Sequence, residues 1–223
     1  MYDVISQRRP AALLGGLAWL LSLVYFLVQA VGQAAFTPAY SLLDDRISDL
    51  GNTACGPWLT HAYACSPLHA WMNAALIATG VLLVLGAVLT WREWPARRLS
   101  VAGLVCVILA GLGYIVVGLA PENVAIGLHL LGATNLLTSN LALLLFGLAT
   151  RRDGTWPGGL ALVCATIGFA GLLVGPLLVA MTGHGGGFSE RLALYPLIVW
   201  VILAGARFRH NGTRGRVMHR ATV

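Results

Sequence analysis

The sequence predicts an all-α fold, a polytopic membrane protein built as a bundle of six transmembrane helices with both termini on the cytoplasmic side. Three observations carry that prediction. Of the 223 residues, 58% are hydrophobic and only 10% charged, with mean hydropathy +0.80, whereas a soluble domain carries about 25% charged residues. Six apolar runs reach the roughly 20 residues that a helix needs to cross a hydrocarbon core. The 14 basic residues are all Arg, and they fall almost entirely on alternate connections.

The first expected span, 11–34, follows Arg8 and Arg9. Its apolar run is too long for a signal-peptide core and has no small-residue cleavage site, so it reads as a retained helix. A loop over 35–67 separates it from the second span, 68–90. The third, fourth, fifth and sixth spans are expected at 99–120, 124–149, 157–182 and 190–207. Residues 208–223 read as a basic, disordered cytoplasmic tail suited to anionic lipid headgroups. An open sheet is excluded because lipid cannot satisfy its edges, and the continuous apolar runs are unlike the alternating strands of a barrel.

Orientation follows from the arginines. Twelve flank one set of connections: Arg8, Arg9, Arg92, Arg97, Arg98, Arg151, Arg152, Arg207, Arg209, Arg214, Arg216 and Arg220. The opposite set holds two, Arg46 and Arg191, together with Asp44, Asp45, Asp49, Glu122 and Glu190. The 35–67 loop is therefore expected outside the cell. Trp91, Trp94 and Trp156 stand where inner-interface anchors belong. This pattern accounts for the net charge of +6 without a nucleic-acid partner and suits a multi-pass protein of a bacterial plasma (cell) membrane.

Cys55 and Cys65 share the outer loop, where an oxidising compartment favours a disulfide. Their spacing matches no zinc motif well. Cys106 and Cys164 lie inside spans and read as small core residues.

Four stretches then stand out in order: "RISDLGNTACG" (46–56), "CSPLHAWMNAALIATG" (65–80), "VGLAPENVAIGLHLLGA" (117–133) and "GGFSERLALYPLIVW" (186–200). On these the chain resembles the bacterial six-span "domain of unknown function 998" family. It is distantly similar to the Frag1/DRAM/Sfk1 membrane proteins, which are associated with lipid organisation and autophagy. The resemblance implies the six-span fold and supplies no activity.

Polar residues within spans are costly, so they usually face the bundle interior and mark a site. Tyr25, Gln29 and Gln33 recur at i, i+4 and i+8; His69 and Asn73 are an i, i+4 pair; Glu122 and His129 are two turns apart; Tyr195 lies one turn below Arg191. All belong to the half of the bundle that holds Asp49, which points to an outward-facing polar pocket. Asp49, Glu122, His129 and Glu190 are the candidate catalytic groups, as acids or bases. Gln29, Gln33, His69, Asn73, Arg191 and Tyr195 are the candidate binding groups, with Arg191 suited to a phosphate headgroup. The structural alternatives are ordinary: Asp49 as a turn residue, an Asp49–Arg191 pair holding the loop down, and the remainder as interhelical hydrogen bonds. "GHGGG" (183–187) reads as a flexible turn, and Gly171 and Gly175 form a G-x-x-x-G that would allow a homodimer.

No H-E-x-x-H, G-x-S-x-G, phosphate loop or metal-spaced His set is present, so no metal or cofactor is expected. The first functional reading is binding of membrane lipid or isoprenoid molecules without chemistry. The alternatives are an intramembrane lipid-modifying enzyme and a structural or regulatory subunit.

Overall fold

The computed structural model describes residues 2–58, 61–151 and 158–220, with side chains for 10–58, 63–151 and 158–210. Arg152 and Trp156 lie outside the described residues.

Eight α-helices make up the described bundle. They are α1 (Tyr2–Leu21), α2 (Leu23–Ala35), α3 (His69–Thr90), α4 (Arg98–Leu119), α5 (Ile126–Gly132), α6 (Asn135–Thr150), α7 (Gly158–Thr182) and α8 (Gly186–Arg220). They supply six stretches long and apolar enough to cross a membrane, because α1 runs into α2 and α5 into α6. The all-α, six-span class is borne out.

Two breaks were not legible in hydropathy. The first span is interrupted at Ser22. The fourth is interrupted at Ala133–Thr134, where the Thr134 hydroxyl donates to the Leu131 carbonyl at 2.7 Å, a local bond that competes with helix continuation. Helix α8 begins before Glu190 and continues to Arg220, so the segment read as a disordered tail is helical. Apart from its glycines, nothing in 208–220 strongly opposes a helix that packing has already nucleated.

Consecutive spans pack side by side, and α8 closes against α1 to complete the ring. Close approach depends on small residues. A methyl group at Gly80 would stand 2.3 Å from the Gly111 carbonyl oxygen. Gly171 and Gly175 serve α8 of the same chain: added Cβ atoms would meet Leu192 and Ser189 at 2.7 and 2.1 Å. The face expected to allow a homodimer is thus occupied internally.

One end of the ring, here the tail end, holds a cluster of Trp19, Trp94, Phe146, Trp200 and Phe208. Trp94 stacks on Trp200 with centroids 5.5 Å apart. Trp94 is only 6% exposed, so it is a core residue and not an interfacial anchor; Trp91 is 56% exposed. The opposite end, here the loop end, carries the 36–68 connection. Cys55 and Cys65 form a disulfide there. A short hairpin pairs β1 (Gly56–Trp58) with β2 (His61–Ala64).

Candidate functional site

Segment 46–52 turns inward at the loop end. Asp49 accepts the Arg46 backbone N–H at 2.7 Å, and a 3₁₀ turn follows over Ser48–Gly51. This is ordinary Asp-led turn chemistry. Burial makes it unusual: Ile47 and Leu50 are 1% and 0% exposed and act as apolar anchors between the helices. The turn is tied from outside itself. Ser66 donates to the Leu50 carbonyl at 2.7 Å, and Asn73 Nδ2 donates to the Gly51 carbonyl at 2.9 Å. His69 donates from Nδ1 to Ser66 O at 2.9 Å. His69 and Asn73 therefore fasten the loop and do not pair with each other.

Above the turn lies an ionic cluster. Arg46 Nη2 reaches Asp49 Oδ1 at 3.3 Å and Glu122 Oε1 at 3.4 Å. The same Glu122 oxygen accepts from Trp58 Nε1 at 2.7 Å and Asn52 Nδ2 at 3.3 Å. Burial pushes the Asp49 carboxyl up to about 6 against the pull of Arg46, and a hydrogen bond and charge from Glu122 add to the rise. Burial works on Glu122 in the same sense, but Arg46 and the hydrogen bonds from Asp49 and Trp58 outweigh it and hold that carboxyl below its usual range.

The start of α8 makes a second junction with the loop. Arg191 donates from Nη1 to the Leu42 and Asp45 carbonyls at 3.1 and 2.9 Å, and from Nη2 to the Tyr40 hydroxyl at 2.5 Å. The Asp49–Arg191 pair is thus replaced by Asp49–Arg46, and Arg191 holds the loop through its backbone. Gly187 lets the chains touch: a Cβ there would stand 2.1 Å from the Asp45 carbonyl oxygen. Gly183 and Gly185 adopt positive φ. "GHGGG" is a fitted junction and not a free turn.

Beneath the turn, Glu190 Oε2 accepts the Ile47 backbone N–H at 2.5 Å. Gln29 Nε2 donates to the Tyr195 hydroxyl at 2.6 Å. His129 Nδ1 meets the Ala120 carbonyl at 2.9 Å. Glu190 and His129 line one cavity of about 20 Å³ with Ser48 and Asn135, room for about one water. Gln33 is half-buried and joins none of these contacts.

Segment 46–49 brings together Asp49, Glu122 and Glu190 through Arg46 and the Ile47 amide, and His129 lies within electrostatic reach of Glu122. The space among them is filled by the chain's own loop. Sequence reasoning missed Arg46, Asn52 and Trp58 as members. The one available signal was that Arg46 is an arginine on the arginine-poor side. Among the described residues no group of three His, Cys, Asp or Glu could hold a metal ion.

A second concavity lies on the bundle's outer surface between α2 and α3. It is an apolar groove of about 390 Å³ lined by Leu27, Val28, Val31, Leu68 and Trp71.

Six apolar helices closed over a buried polar layer define a multi-pass helical membrane protein. The family comparison agrees with that class. The family model described as "Protein of unknown function (DUF998)" matches residues 17–207, so the chain belongs to that family. No curated protein and no solved structure matches the chain.

Proposed function

We propose that this protein binds a membrane lipid or isoprenoid molecule at the loop end of its bundle without transforming it. The observation that carries the reading is the apolar groove between α2 and α3. Its walls belong to helix faces that cross the membrane, and Trp71, 68% exposed, stands at the first turn of α3, the interfacial depth favoured by Trp. Each methylene of a hydrocarbon chain taken into such a groove contributes about 0.8 kcal/mol. Gln33 and His69, close in sequence to the groove residues on α2 and α3, offer polar groups for the head of the bound molecule. The arginine distribution supports a loop end facing outward from a bacterial cell membrane.

The binding reading is favoured over the enzymatic one because the acids are committed to the loop. Asp49 and Glu122 face Arg46, and Glu190 holds the Ile47 amide. Mass spectrometry of the protein released intact from mild detergent tests the proposal. Wild type should carry bound lipid. Val31→Trp, which fills the groove from an exposed position, should lose it. Val163→Trp, on an exposed face of α7, should keep it. Equal lipid retention by the two variants would refute the reading.

A further inference from the structure

The water-sized cavity beneath the turn is lined by four polar side chains from four parts of the chain: Ser48 of the turn, His129 of α5, Asn135 at the start of α6 and Glu190 of α8. Two are nearly sealed from solvent. Asn135 is 3% exposed and Ser48 8% exposed, and neither side chain has a hydrogen bond to another described residue. Buried amides and hydroxyls are rarely left so, because each lost bond costs about 1–3 kcal/mol. The break between α5 and α6 puts Ala133 and Asn135 on the cavity wall. Leu76 and Val117 supply apolar wall.

The remaining valences can be assigned. The Ala120 carbonyl can only accept, so His129 Nδ1 carries the proton in that 2.9 Å bond, and an imidazole in that tautomer has its lone pair on Nε2. Glu190 uses Oε2 for the Ile47 amide, which leaves Oε1. The unspent groups are thus a carboxyl oxygen, an imidazole lone pair, a carboxamide and a hydroxyl around room for one small molecule.

We infer that this cavity is a built site for a single water that joins Glu190 to His129 and carries a proton between them. Ser48 and Asn135 hold the water. In the transfer, a proton leaves Glu190 Oε1 for the water oxygen while a water proton passes to His129 Nε2. The carboxylic acid becomes a carboxylate, the imidazole becomes an imidazolium, and the water is regenerated. The charged and titratable groups facing Glu190 are Tyr40, Arg46 and Asp49 from the loop, Glu122 from the α4–α5 connection, Tyr25 and Tyr114 from α2 and α4, and Tyr195 on α8 itself. Glu122 is also within electrostatic reach of His129. The site is separate from the groove, and lipid binding does not depend on it.

Infrared difference spectroscopy of the full chain in lipid nanodiscs, titrated with acid, reads both partners. The protonated carboxyl band of Glu190 is assigned by its loss in Glu190→Gln. The inference expects its titration midpoint to move by a pH unit or more, a tenfold change in proton affinity, in both His129→Gln and Asn135→Leu. It also expects a water O–H band that shifts in ¹⁸O-labelled water and is absent from Asn135→Leu, a readout that a merely structural Asn would not move. A variant that fails to fold is replaced by Ser48→Ala, which removes a smaller group and should shift the midpoint in the same direction as Asn135→Leu. An identical midpoint in wild type and variants, or a water band that persists in Asn135→Leu, would overturn the inference.

Discussion

Replacing Glu122 with Leu tests the ionic cluster most sharply. Three donors converge on Glu122 Oε1: Trp58 Nε1 at 2.7 Å, Asn52 Nδ2 at 3.3 Å and Arg46 Nη2 at 3.4 Å. Leucine keeps much of the volume and removes the acceptor. Each buried donor left unpaired costs about 1–3 kcal/mol. Arg46 is partly exposed, 33% for its side chain, and recovers some hydration, so its share falls at the low end. The sum is about 3–7 kcal/mol. Glu122→Gln keeps a neutral acceptor for Trp58 and Asn52 and loses only the charge opposite Arg46, so about 1–2 kcal/mol is expected. The assay is reversible unfolding in mixed micelles followed by tryptophan fluorescence. A double-mutant cycle with Arg46→Met should return a coupling of about 1–3 kcal/mol. A loss below about 1 kcal/mol for Glu122→Leu, or no coupling to Arg46, would refute the account of the cluster.

Other expectations follow from the same geometry. Asp49 is raised from its ordinary 3.8 to about 6, so its contribution to stability is complete below 3.8 and is lost as pH rises through about 6. Glu122 is lowered from 4.5, so its contribution is present above 4.5 and lost as acid protonates it. Tm should therefore rise as pH falls from above 6 towards 4.5 and drop below that; Asp49→Asn should shrink the first limb and keep the second. Gly187→Ala should cost about 1–3 kcal/mol through overpacking against Asp45, measured by Tm, while Gly159→Ala, with nothing within 4 Å of its Cβ, should be neutral. The Cys55→Ser/Cys65→Ser double variant loses a link that spans 10 residues, which contributes about 3 kcal/mol to ordering that loop. Proteolysis within 53–64 should accelerate in the variant; an unchanged rate would contradict the role assigned to the disulfide.

Much of the fold was legible because hydropathy reports directly on membrane crossing. Six runs gave six spans, and the Cys55–Cys65 link followed from compartment chemistry. The break at Ala133–Thr134 was hidden because a hydroxyl residue inside an apolar run changes hydropathy little while its side chain bonds the backbone; the Ser22 hydroxyl makes no such bond, and the break there has no signal in hydropathy. Trp94 was misplaced because an aromatic near a helix end looks the same whether it faces headgroups or Trp200. Gly171 and Gly175 show the same limit: a small-residue pair announces close packing but not which helix arrives. At the site, position along the chain placed Asp49, Glu122, His129 and Glu190 at the same end of the bundle. It did not show that the loop would enter the space among them. That depends on Ile47 and Leu50 being drawn inward as apolar anchors and on Arg46 neutralising two acids, both of them tertiary effects.

The central claim is that segment 46–52, although part of a connection, is built into the bundle as its polar floor and lid together. Hydrogen exchange of its backbone amides in lipid nanodiscs measures this directly. The Arg46 and Ile47 amides, held by Asp49 and Glu190, and the Leu50 amide of the buried turn should exchange as slowly as the helix interiors. Exchange of those amides at the rate of an open, solvated loop would contradict the account.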